Sequence, residues 1–436
     1  MIEGPLIPGD RNVKWLSECN ENWKYKPLKY ICKINNRTLS ENTDPDLEFE
    51  YIDISSVNSE GKIIHKEKMK YIDSPSRARR ILSSGDVIIS TVRTYLKAIT
   101  FIDKIDGSII CSTGFAVISP GKTVIPEFLA YWVRSTYFID EIVARSVGVS
   151  YPAINSTEIG SLPFPLLRLD KQKEIADFLD RETGRVDQLI EKKVRQIELL
   201  QEKRAALIGQ AVTRGLDPTV KTKDPHIPWL GPIPQHWEVL EAKFGFSIQL
   251  GKMLQNEPNR DEDKLVPYLK ALNVLWEKTD TTDLNEMWAS VDDIKKYEVK
   301  DGDLLVCEGG EVGRAGILKD SPTPCIIQNA LHRVRPKNSN NLKYLMFLLE
   351  AAGDRGWFDI LCSKATIAHF TGEKFGWLKI ILPPVSEQDL IVEFIQQKIN
   401  KIDRLIGKIG ESVERLGEYR GALISAAVTG KIDVRE

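Results

Sequence analysis

Apolar residues recur along residues 172–217 at alternating intervals of four and three, and the same pattern returns along residues 388–433. This spacing places one continuous seam on a helix, facing a partner helix as in a coiled coil. A helix of roughly 40 residues is about 60 Å long, which exceeds a globular unit of roughly 160 residues. The pattern therefore predicts two long helices that pack antiparallel against each other. Packing of each helix on its own globular domain is the alternative.

The apolar residues predicted to pack between the helices stand at equivalent places in the two segments. They are Val186, Ile190, Ile197, Leu200 and Leu207, and Ile402, Ile406, Ile409, Val413, Leu416 and Leu423. Two arginines, Arg204 and Arg420, occupy matching seam positions. Either they fix the register of the helices, or they lay their stems along the seam with the guanidinium groups in water.

The two helical segments are copies of each other, since an ungapped shift of 216 makes 18 of 46 positions identical. A solenoid needs three or more short units, so two long copies indicate two similar halves. Three further features outside the helices occur in both halves. They are a Trp-Leu pair with a later Trp, a Gly-Asp turn before an apolar run, and a proline-rich segment before the long helix. These are Trp15-Leu16 and Trp23 with Trp229-Leu230 and Trp237, Gly85-Asp86 with Gly302-Asp303, and Leu162–Pro165 with Leu382–Pro384.

Between these framing residues, each half is predicted to be a globular unit of mixed α and β structure. Apolar runs that follow turn residues favour strands, and amphipathic runs favour helices. The predicted strands are Val87–Thr91, Ser108–Ser119, Asp303–Cys307 and Cys325–Arg335, and the predicted helices are Glu127–Tyr137 and Leu342–Ala352. The fold class is therefore α+β, with two globular domains and two long helices in a pseudo-two-fold repeat. The predicted segments are 1–165, 166–222, 223–384 and 385–436.

Composition narrows the class of protein. No run approaches 18 consecutive apolar residues, so no membrane span is expected, and the first residues lack an export signal pattern. The six cysteines are scattered without a CxxC pair, which is typical of reduced thiols in the cytoplasm. We therefore expect a cytoplasmic protein without a membrane partner.

Charge is unevenly distributed, although the net charge is only −2. Residues 41–60 hold seven acidic residues and no basic one, whereas residues 62–104 hold ten Lys and Arg against four acidic residues. Arginine forks suit phosphates and guanine edges, and loops at strand ends commonly carry function. The candidate DNA-binding residues are Arg77, Arg79, Arg80, Arg93, Tyr95, Lys97, Arg314, Arg333, Arg335 and Lys364. A solvated charged surface is the alternative for each of them.

Catalytic signatures are missing from the sequence. It contains no GxxxxGK[ST] phosphate loop, no GxGxxG loop and no HExxH pair. The glycines at Gly309-Gly310, Gly313 and Gly316 favour a tight hairpin with close backbone approach. Glu298-Val-Lys300 is similar to a metal-nuclease pattern, but the acids upstream of it, Asp292 and Asp293, leave too little chain for a second strand. We therefore predict neither a catalytic residue nor a metal site in this chain.

Taken together, these residues resemble the DNA-specificity subunit of Type I restriction-modification systems. Such subunits alternate target-recognition domains with conserved helical regions, which is the order predicted above. The resemblance depends on the duplicated frame together with four phrases in the chain. These are Ser90–Arg93, Gly148–Tyr151, Arg204–Ile208 and Arg420–Ile424. The chain departs from the family pattern in two places, since Lys171 precedes Gln172 where Glu is common, and Ser150-Tyr151 has no counterpart in the second half.

The resemblance implies a subunit that is not an enzyme and that reads a bipartite, asymmetric site on double-stranded DNA. It implies docking of two methyltransferase (modification) subunits and of restriction (translocase) subunits. Adenosylmethionine, Mg and ATP would then be held by those partners, and this chain would hold no cofactor. Two alternatives stay open at this stage: a stand-alone nuclease or methyltransferase, and a coiled-coil scaffold that does not bind DNA.

Overall fold

A computed structural model describes residues 19–148, 151–362 and 369–434. The described residues form two compact units. One contains the residues up to Val194 together with those from Gly410 onward, and the other contains Arg195–Ile409. The four segments predicted from the sequence stay a prediction. The two compact units do not have the same boundaries as these four segments, because each unit includes a portion of both long helices. No helix in the described ranges is long and apolar enough to cross a membrane.

The first unit is built on short strands and three short helices. The strands are β1 (Tyr25–Pro27), β2 (Cys32–Ile34), β3 (Glu48–Ile52), β4 (Glu67–Lys70), β5 (Ala78–Ile81), β6 (Val87–Ser90), β7 (Ile99–Phe101), β8 (Ile109–Ser112), β9 (Phe115–Pro120) and β10 (Pro163–Pro165). The helices are α1 (Pro126–Val133), α2 (Thr136–Arg145) and α3 (Ser156–Ser161).

This unit contains two four-stranded sheets, with strand orders β2-β9-β6-β7 and β4-β3-β8-β5. The short turn at Thr113 and Gly114 connects β8 of one sheet to β9 of the other. Strands β6 and β9 are almost wholly buried, since their alternate faces pack on two different apolar clusters. The end of β6 therefore projects a loop from a fixed base.

The long helix α4 (Leu169–Arg214) connects the first unit to the second, where further strands and helices follow. The strands are β11 (Thr222–Lys223), β12 (Ile233–Pro234), β13 (Glu238–Glu241), β14 (Phe246–Leu250), β15 (Lys264–Leu269), β16 (Glu277–Lys278), β17 (Asn285–Ala289), β18 (Leu304–Cys307), β19 (Ala315–Ile317), β20 (Ile326–Ile327), β21 (Leu331–Pro336) and β22 (Lys379–Leu382). The helices are α5 (Ala242–Gly245), α6 (Val291–Tyr297), α7 (Leu342–Asp354), α8 (Trp357–Leu361), α9 (Gly372–Trp377) and the long α10 (Val385–Val428).

The second unit repeats the topology of the first. Strand order β14-β21-β18-β19 matches β2-β9-β6-β7, with β16 added beside β19, and order β17-β15-β20 matches β4-β3-β8. The pair β13-β22 likewise matches β1-β10. Strand β5, which carries Arg79 and Arg80, has no counterpart in the described part of the second unit, where helix α6 occupies the equivalent stretch of chain. The frame is thus shared, whereas this edge of the second sheet differs.

Helices α4 and α10 run antiparallel, as contacts of α7 within the second unit show. Asn341, before α7, donates its N–H to Gln388 near the start of α10 at 2.8 Å. One turn into α7, Tyr344 donates its hydroxyl to the carbonyl of Val212 at 2.9 Å. Farther along, Glu350 accepts from Arg204 at 2.7 Å. The later residue of α7 therefore contacts the earlier residue of α4, so these two helices run in opposite directions. On α10, Gln388 lies near the start of α7, whereas Asp403, which is later in α10, lies beside Arg204. Helix α10 therefore runs in the same direction as α7 and opposite to α4.

The residues of the predicted seam are less exposed than their neighbours on the same helices. Every seam residue is buried or half-buried, whereas Leu189, Leu199 and Leu405, which lie off the seam, are close to half exposed. The alternative also holds at the helix ends. Ile175 and Ile424 enter the core of the first unit, and Ile208 and Ile391 enter that of the second. Both kinds of packing therefore occur, because a long helix has ends that a globular domain can cover.

The predicted strands and helices are present, with breaks where turn chemistry intervenes. The run 108–119 divides into β8 and β9, and the run 325–335 divides into β20 and β21. The predicted helix 127–137 is two helices, α1 and α2, because the Ser135 side chain caps a new helix by accepting from Phe138 N–H. The glycine-rich stretch is a hairpin between β18 and β19, as predicted, with Val306 opposite Ala315.

Candidate nucleic-acid interface

The loop from Arg93 to Lys97 leaves the buried end of β6 as a single 3₁₀ turn. Its backbone is held at several points: Arg93 N–H donates to the carbonyl of Pro152 at 2.8 Å, and Ser90 N–H to that of Ala98 at 2.9 Å. The Thr94 hydroxyl is buried and lies 2.8 Å from that of Ser146. The loop is therefore a rigid platform that leaves Tyr95 and Lys97 exposed to solvent.

Two cationic residues of this loop adopt the left-handed backbone conformation, with φ of 52° at Arg93 and 54° at Lys97. A residue with a Cβ loses about 1–2 kcal/mol in that conformation. The equivalent loop of the second unit, between β18 and β19, has glycine at both places. These are Gly310, with φ of 76°, and Gly313, with φ of 80°. At these two left-handed positions, the loop of the first unit therefore carries cationic side chains, whereas the loop of the second unit carries glycine.

A cleft of about 590 Å³ opens beside the loop. The Arg93 guanidinium lies over the ring of Tyr151, 4.6 Å from its centroid, and both residues line the cleft. Asp53, Asn58 and Ser59 also line it. A guanidinium stacked on an aromatic ring is held flat, and its remaining N–H groups are oriented for bidentate acceptors such as phosphates or a guanine edge.

Arg77 reaches the same end of the unit by a different route. It donates to the Asp53 carboxylate at 2.6 Å and to the Tyr51 hydroxyl at 3.2 Å. Thr113, in the turn between the two sheets, donates its N–H to the Arg77 carbonyl at 2.8 Å. Because Asp53 also lines the cleft, the structure brings Arg77 and Arg93 to one site, although 15 residues separate them in sequence.

Arg79 and Arg80 lie elsewhere, because β5 has a bulge between Ala78 and Arg80. The Arg79 guanidinium stacks over the Tyr71 ring, 5.1 Å from its centroid. Arg80 donates to the Thr38 hydroxyl at 3.2 Å. The three arginines are close in sequence, but Arg77 has different contacts from Arg79 and Arg80, and DNA contact by each of them stays a prediction.

The predicted arginines of the second unit are engaged within the protein. Arg314 donates to Glu311 at 2.8 Å and to the carbonyl of Ala271 at 3.0 Å. Arg333 donates to the carbonyls of Lys296 and Glu298, at the end of α6. Burial lowers the pKa of Arg333. Lys364 lies outside the described residues. DNA contact by these three residues, and by Arg335, stays a prediction.

Arg335 has a clear structural role. It donates twice to the buried carboxylate of Asp303, at 2.6 and 2.7 Å. The equivalent aspartate of the first unit, Asp86, accepts a single hydrogen bond from an arginine, Arg37. Each aspartate also accepts the N–H of the residue three positions earlier, Lys300 or Ser83. The repeated Gly-Asp motif is thus a turn closed by a carboxylate and held by an arginine.

Sequence reasoning missed Asp53 and Asn58 and treated Tyr151 only as part of a phrase. The sequence did contain a partial indication of Asp53, because this residue belongs to the acidic segment 41–60, which precedes the basic segment 62–104. Opposite charges in adjacent segments pair across the fold, so the basic stretch is partly neutralised. Its free cationic groups are fewer than the count of Lys and Arg indicates.

No group of three or more His, Cys, Asp or Glu that could hold a metal ion occurs in the described part of the chain. The cysteines are buried, and burial raises the pKa of the Cys32 thiol to about 12. A thiol with so high a pKa is a weak nucleophile near neutrality. Glu298 and Lys300 form an ion pair at 3.4 Å, beyond the end of α6.

Comparison with known proteins identifies relatives along nearly the whole chain. A protein of Methanocaldococcus jannaschii, named as the MjaX type I restriction enzyme specificity subunit, is 24% identical over 435 residues and is covered, like this chain, to 96%. The Type I restriction enzyme EcoKI specificity subunit of Escherichia coli is 24% identical over 332 residues, which cover 74% of this chain and 69% of that protein.

Solved structures share the fold. A chain from a study of complex assembly and conformational transition of the type I R-M system superposes with a TM-score of 0.74 at 23% identity, covering 95% of this chain and 99% of that one. The HsdS subunit of Thermoanaerobacter tengcongensis superposes with a TM-score of 0.53, also at 23% identity, covering 95% and 98%.

The family described as Type I restriction modification DNA specificity domain matches residues 20–199 and again residues 234–415. The two matched stretches coincide with the two halves of the internal repeat, and together they span most of the chain. This protein therefore belongs to the family of Type I restriction-modification DNA specificity domains and carries two copies of that domain.

Proposed function

We propose that this chain is the DNA-specificity subunit of a Type I restriction-modification complex and that it reads a bipartite, asymmetric site on double-stranded DNA. The observation that carries the proposal is the pair of specificity domains on one chain, matched at residues 20–199 and 234–415. Two domains with one topology and different loops suit two different half-sites. The helices would set the distance between the two domains, and the base pairs between the half-sites would not be contacted.

In the first domain, the cleft beside Arg93 is the proposed reading site. Arg93 would contact a base edge or a phosphate, and Tyr95 and Lys97 would contact the backbone of the duplex. In the second domain, the loop between β18 and β19 carries glycines where Arg93 and Lys97 stand. This difference supports the proposal that the two half-sites differ in sequence.

The partners proposed for the chain are two modification subunits, which carry the methyltransferase activity, together with restriction subunits. Exposed residues that are identical in both helical copies support a partner present twice. Leu189 and Leu405 are each about half exposed, and Lys192 and Lys408 are exposed as well. Exposure to solvent does not favour leucine, so an identical leucine at both exposed positions is better explained by contact with a partner.

The chain itself would perform no catalysis. Adenosylmethionine, Mg and ATP would be bound by the partner subunits, and the complex would act in the cytoplasm. These assignments follow from membership of the family and from the sequence, which holds no phosphate loop and no dinucleotide loop.

The test is methylome sequencing of cells that carry or lack the gene. The proposal expects one split motif whose methylation disappears with the gene. A matched in vitro arm uses the purified chain alone with DNA, Mg and adenosylmethionine, and expects neither cleavage nor methylation. Cleavage or methylation by the chain alone would favour a stand-alone enzyme. An unchanged methylome, together with DNA binding that is absent or independent of salt, would favour a scaffold.

A further inference from the structure

Each unit exposes a lysine followed by an aromatic residue at the same point of its backbone. In the first unit these are Lys29 and Tyr30, just before β2, and in the second they are Lys243 and Phe244, just before β14. The strand registers make the two pairs equivalent, because Cys32 lies opposite Pro120 and Phe246 opposite Pro336. Tyr30 is 41% exposed and Phe244 is 62% exposed, so neither serves as a core residue.

The local geometry of the two pairs also agrees. The Lys29 Nζ atom lies 5.3 Å from the centroid of the Tyr30 ring, and the Lys243 Nζ atom lies 5.1 Å from that of Phe244. Each lysine stem passes over a glycine of a short helix. A Cβ atom at Gly160 of α3 would lie 3.4 Å from Lys29 Cβ, and one at Gly376 of α9 would lie 3.7 Å from Lys243 Cβ.

The neighbouring residues differ in kind between the units, whereas the lysine is identical and the next residue is aromatic in both, Tyr30 and Phe244. Leu28 corresponds to Ala242, and Lys33 to Ser247. Isolated exposed apolar residues are common on protein surfaces and need no explanation. A lysine–aromatic pair that recurs at one backbone position, between flanking residues that differ, indicates a constraint acting equally on both units.

The constraint does not fit the DNA half-sites. In the first unit, β2 and β6 both run antiparallel to β9, so they point the same way. Lys29 and Tyr30 precede this sheet at the end where β6 begins, while Arg93 follows β6 at its far end. The length of β9, Phe115–Pro120, separates the two ends by about 17 Å. Strands β14, β18 and β21 give the same arrangement in the second unit.

We propose that Lys29-Tyr30 and Lys243-Phe244 are equivalent docking points for two copies of one protein partner, namely the modification subunit. The inference rests on the proposed function. Each point joins an exposed ring to a cation, so the complementary surface is an apolar pocket bordered by carboxylates. Aromatic residues of this kind commonly dominate the energy of an interface. The second point is larger, because Lys243 also lies 3.4 Å from the centroid of the exposed Trp377 ring.

The test uses the full chain assembled with modification subunits. One variant combines Lys29→Glu with Tyr30→Ala, another combines Lys243→Glu with Phe244→Ala, and a third carries all four changes. Lys33→Glu is the control, since it reverses an exposed charge on β2 that the second unit lacks. Native mass spectrometry counts the modification subunits bound to each chain, and a titration gives the dissociation constants.

Each two-residue variant is expected to keep one modification subunit with unchanged affinity and to bind the other at least tenfold more weakly. The four-residue variant is expected to lose both, and Lys33→Glu to keep both. Unaltered melting temperatures will show that the variants fold, as the exposure of the rings implies. Salt-dependent DNA binding of the isolated variants is expected to stay within about twofold of the wild type.

Two results overturn the inference alone: variants that still bind two modification subunits with wild-type affinity, or variants that lose DNA affinity while partner binding is unchanged. The second result would place the pairs on the DNA. A wild-type chain that binds no modification subunit at all overturns the proposed function and the inference together.

Discussion

Arg420 donates to both carboxylate oxygens of Asp187, at 2.8 and 3.3 Å, and the contact joins the C-terminal part of α10 to the N-terminal part of α4. The repeat contains the same contact a second time, since Arg204 lies 3.3 Å from Asp403. A shift of 216 carries Asp187 onto Asp403 and Arg204 onto Arg420. Of the two readings of the seam arginines, these ion pairs support the one in which they fix the register of antiparallel helices.

The two equivalent arginines are expected to differ in their effect on stability. Arg420→Ala removes one half-exposed ion pair, and a double-mutant cycle with Asp187→Ala should yield a coupling of about 0.2–1 kcal/mol. Arg204 also pairs with Glu277 and with Glu350, whose side chain is 8% exposed. Arg204→Ala leaves that buried carboxylate without its cation and should lower the free energy of unfolding by about 3 kcal/mol.

Urea unfolding curves of both variants provide the measurement. Equal losses at the two positions would contradict the asymmetry of the two environments. The exchange of Asp187→Arg with Arg420→Asp serves as the control, because it keeps an ion pair in the opposite orientation. It should recover part of the stability that either charge change loses alone.

Acid should destabilise the second unit through His332. Burial lowers the pKa of this imidazole below its ordinary value of 6.5, and the ring lies against Phe370 and Phe375. The unfolded chain therefore takes up a proton that the folded chain resists. The stability that neutral His332 contributes is present above pH 6.5 and falls as the pH decreases below that value.

The measurement compares melting temperatures at pH 7.5 and pH 5.5 for the wild type and for His332→Phe. The wild type should lose about 2–4 °C more than the variant over this interval, which corresponds to about 1 kcal/mol. His65→Gln, a change at an exposed histidine, should leave the wild-type difference as it is. Identical pH dependence of wild type and His332→Phe would remove His332 from the explanation.

The frame of this protein could be predicted from the sequence, because helix seams and repeated turns are local patterns. The spacing of Leu200 and Leu416 marks the helices, and Gly302-Asp303 marks the turn before β18. Antiparallel packing was predicted, but the partner of Arg420 was not, since the spacing of apolar residues does not show which acidic residue lies opposite the arginine. The pairing of Arg77 with Asp53 and the stack of Arg93 on Tyr151 also join residues that are distant in sequence. Which cationic side chains remain free to contact DNA therefore depends on the three-dimensional fold.

Gly313 should tolerate no side chain. Its φ is 80°, and a Cβ atom there would lie 2.3 Å from the Phe358 ring. Gly313→Ala combines the cost of the left-handed conformation with overpacking and should lower the free energy of unfolding by about 3 kcal/mol. Gly302→Ala is the control, because φ is 93° there but a Cβ would meet no atom within 4 Å. It should lose only about 1 kcal/mol. Chemical denaturation of both variants decides the matter, and equal losses would show that Phe358 moves aside.

Arg93 allows function to be separated from stability by two substitutions at one position. Arg93→Ala keeps the strained φ of 52° and loses the stack on Tyr151, whereas Arg93→Gly loses the stack but relieves the strain. Arg93→Gly should therefore be more stable than Arg93→Ala by about 1 kcal/mol. Gly310, at the equivalent position of the second unit, shows that the loop accepts glycine.

Both substitutions remove the same guanidinium, so both should weaken binding of the assembled complex to its target by the same amount, about 1–3 kcal/mol if Arg93 reads a base edge. Discrimination at one position of the first half-site should be relaxed, and the second half-site should be unaffected. Competition binding with single-base variants of the target measures this. Equal weakening on all sequences, with a smaller salt dependence, would assign Arg93 to a phosphate instead. Wild-type affinity in Arg93→Gly would exclude Arg93 from the interface, because that variant retains the loop and loses only the side chain.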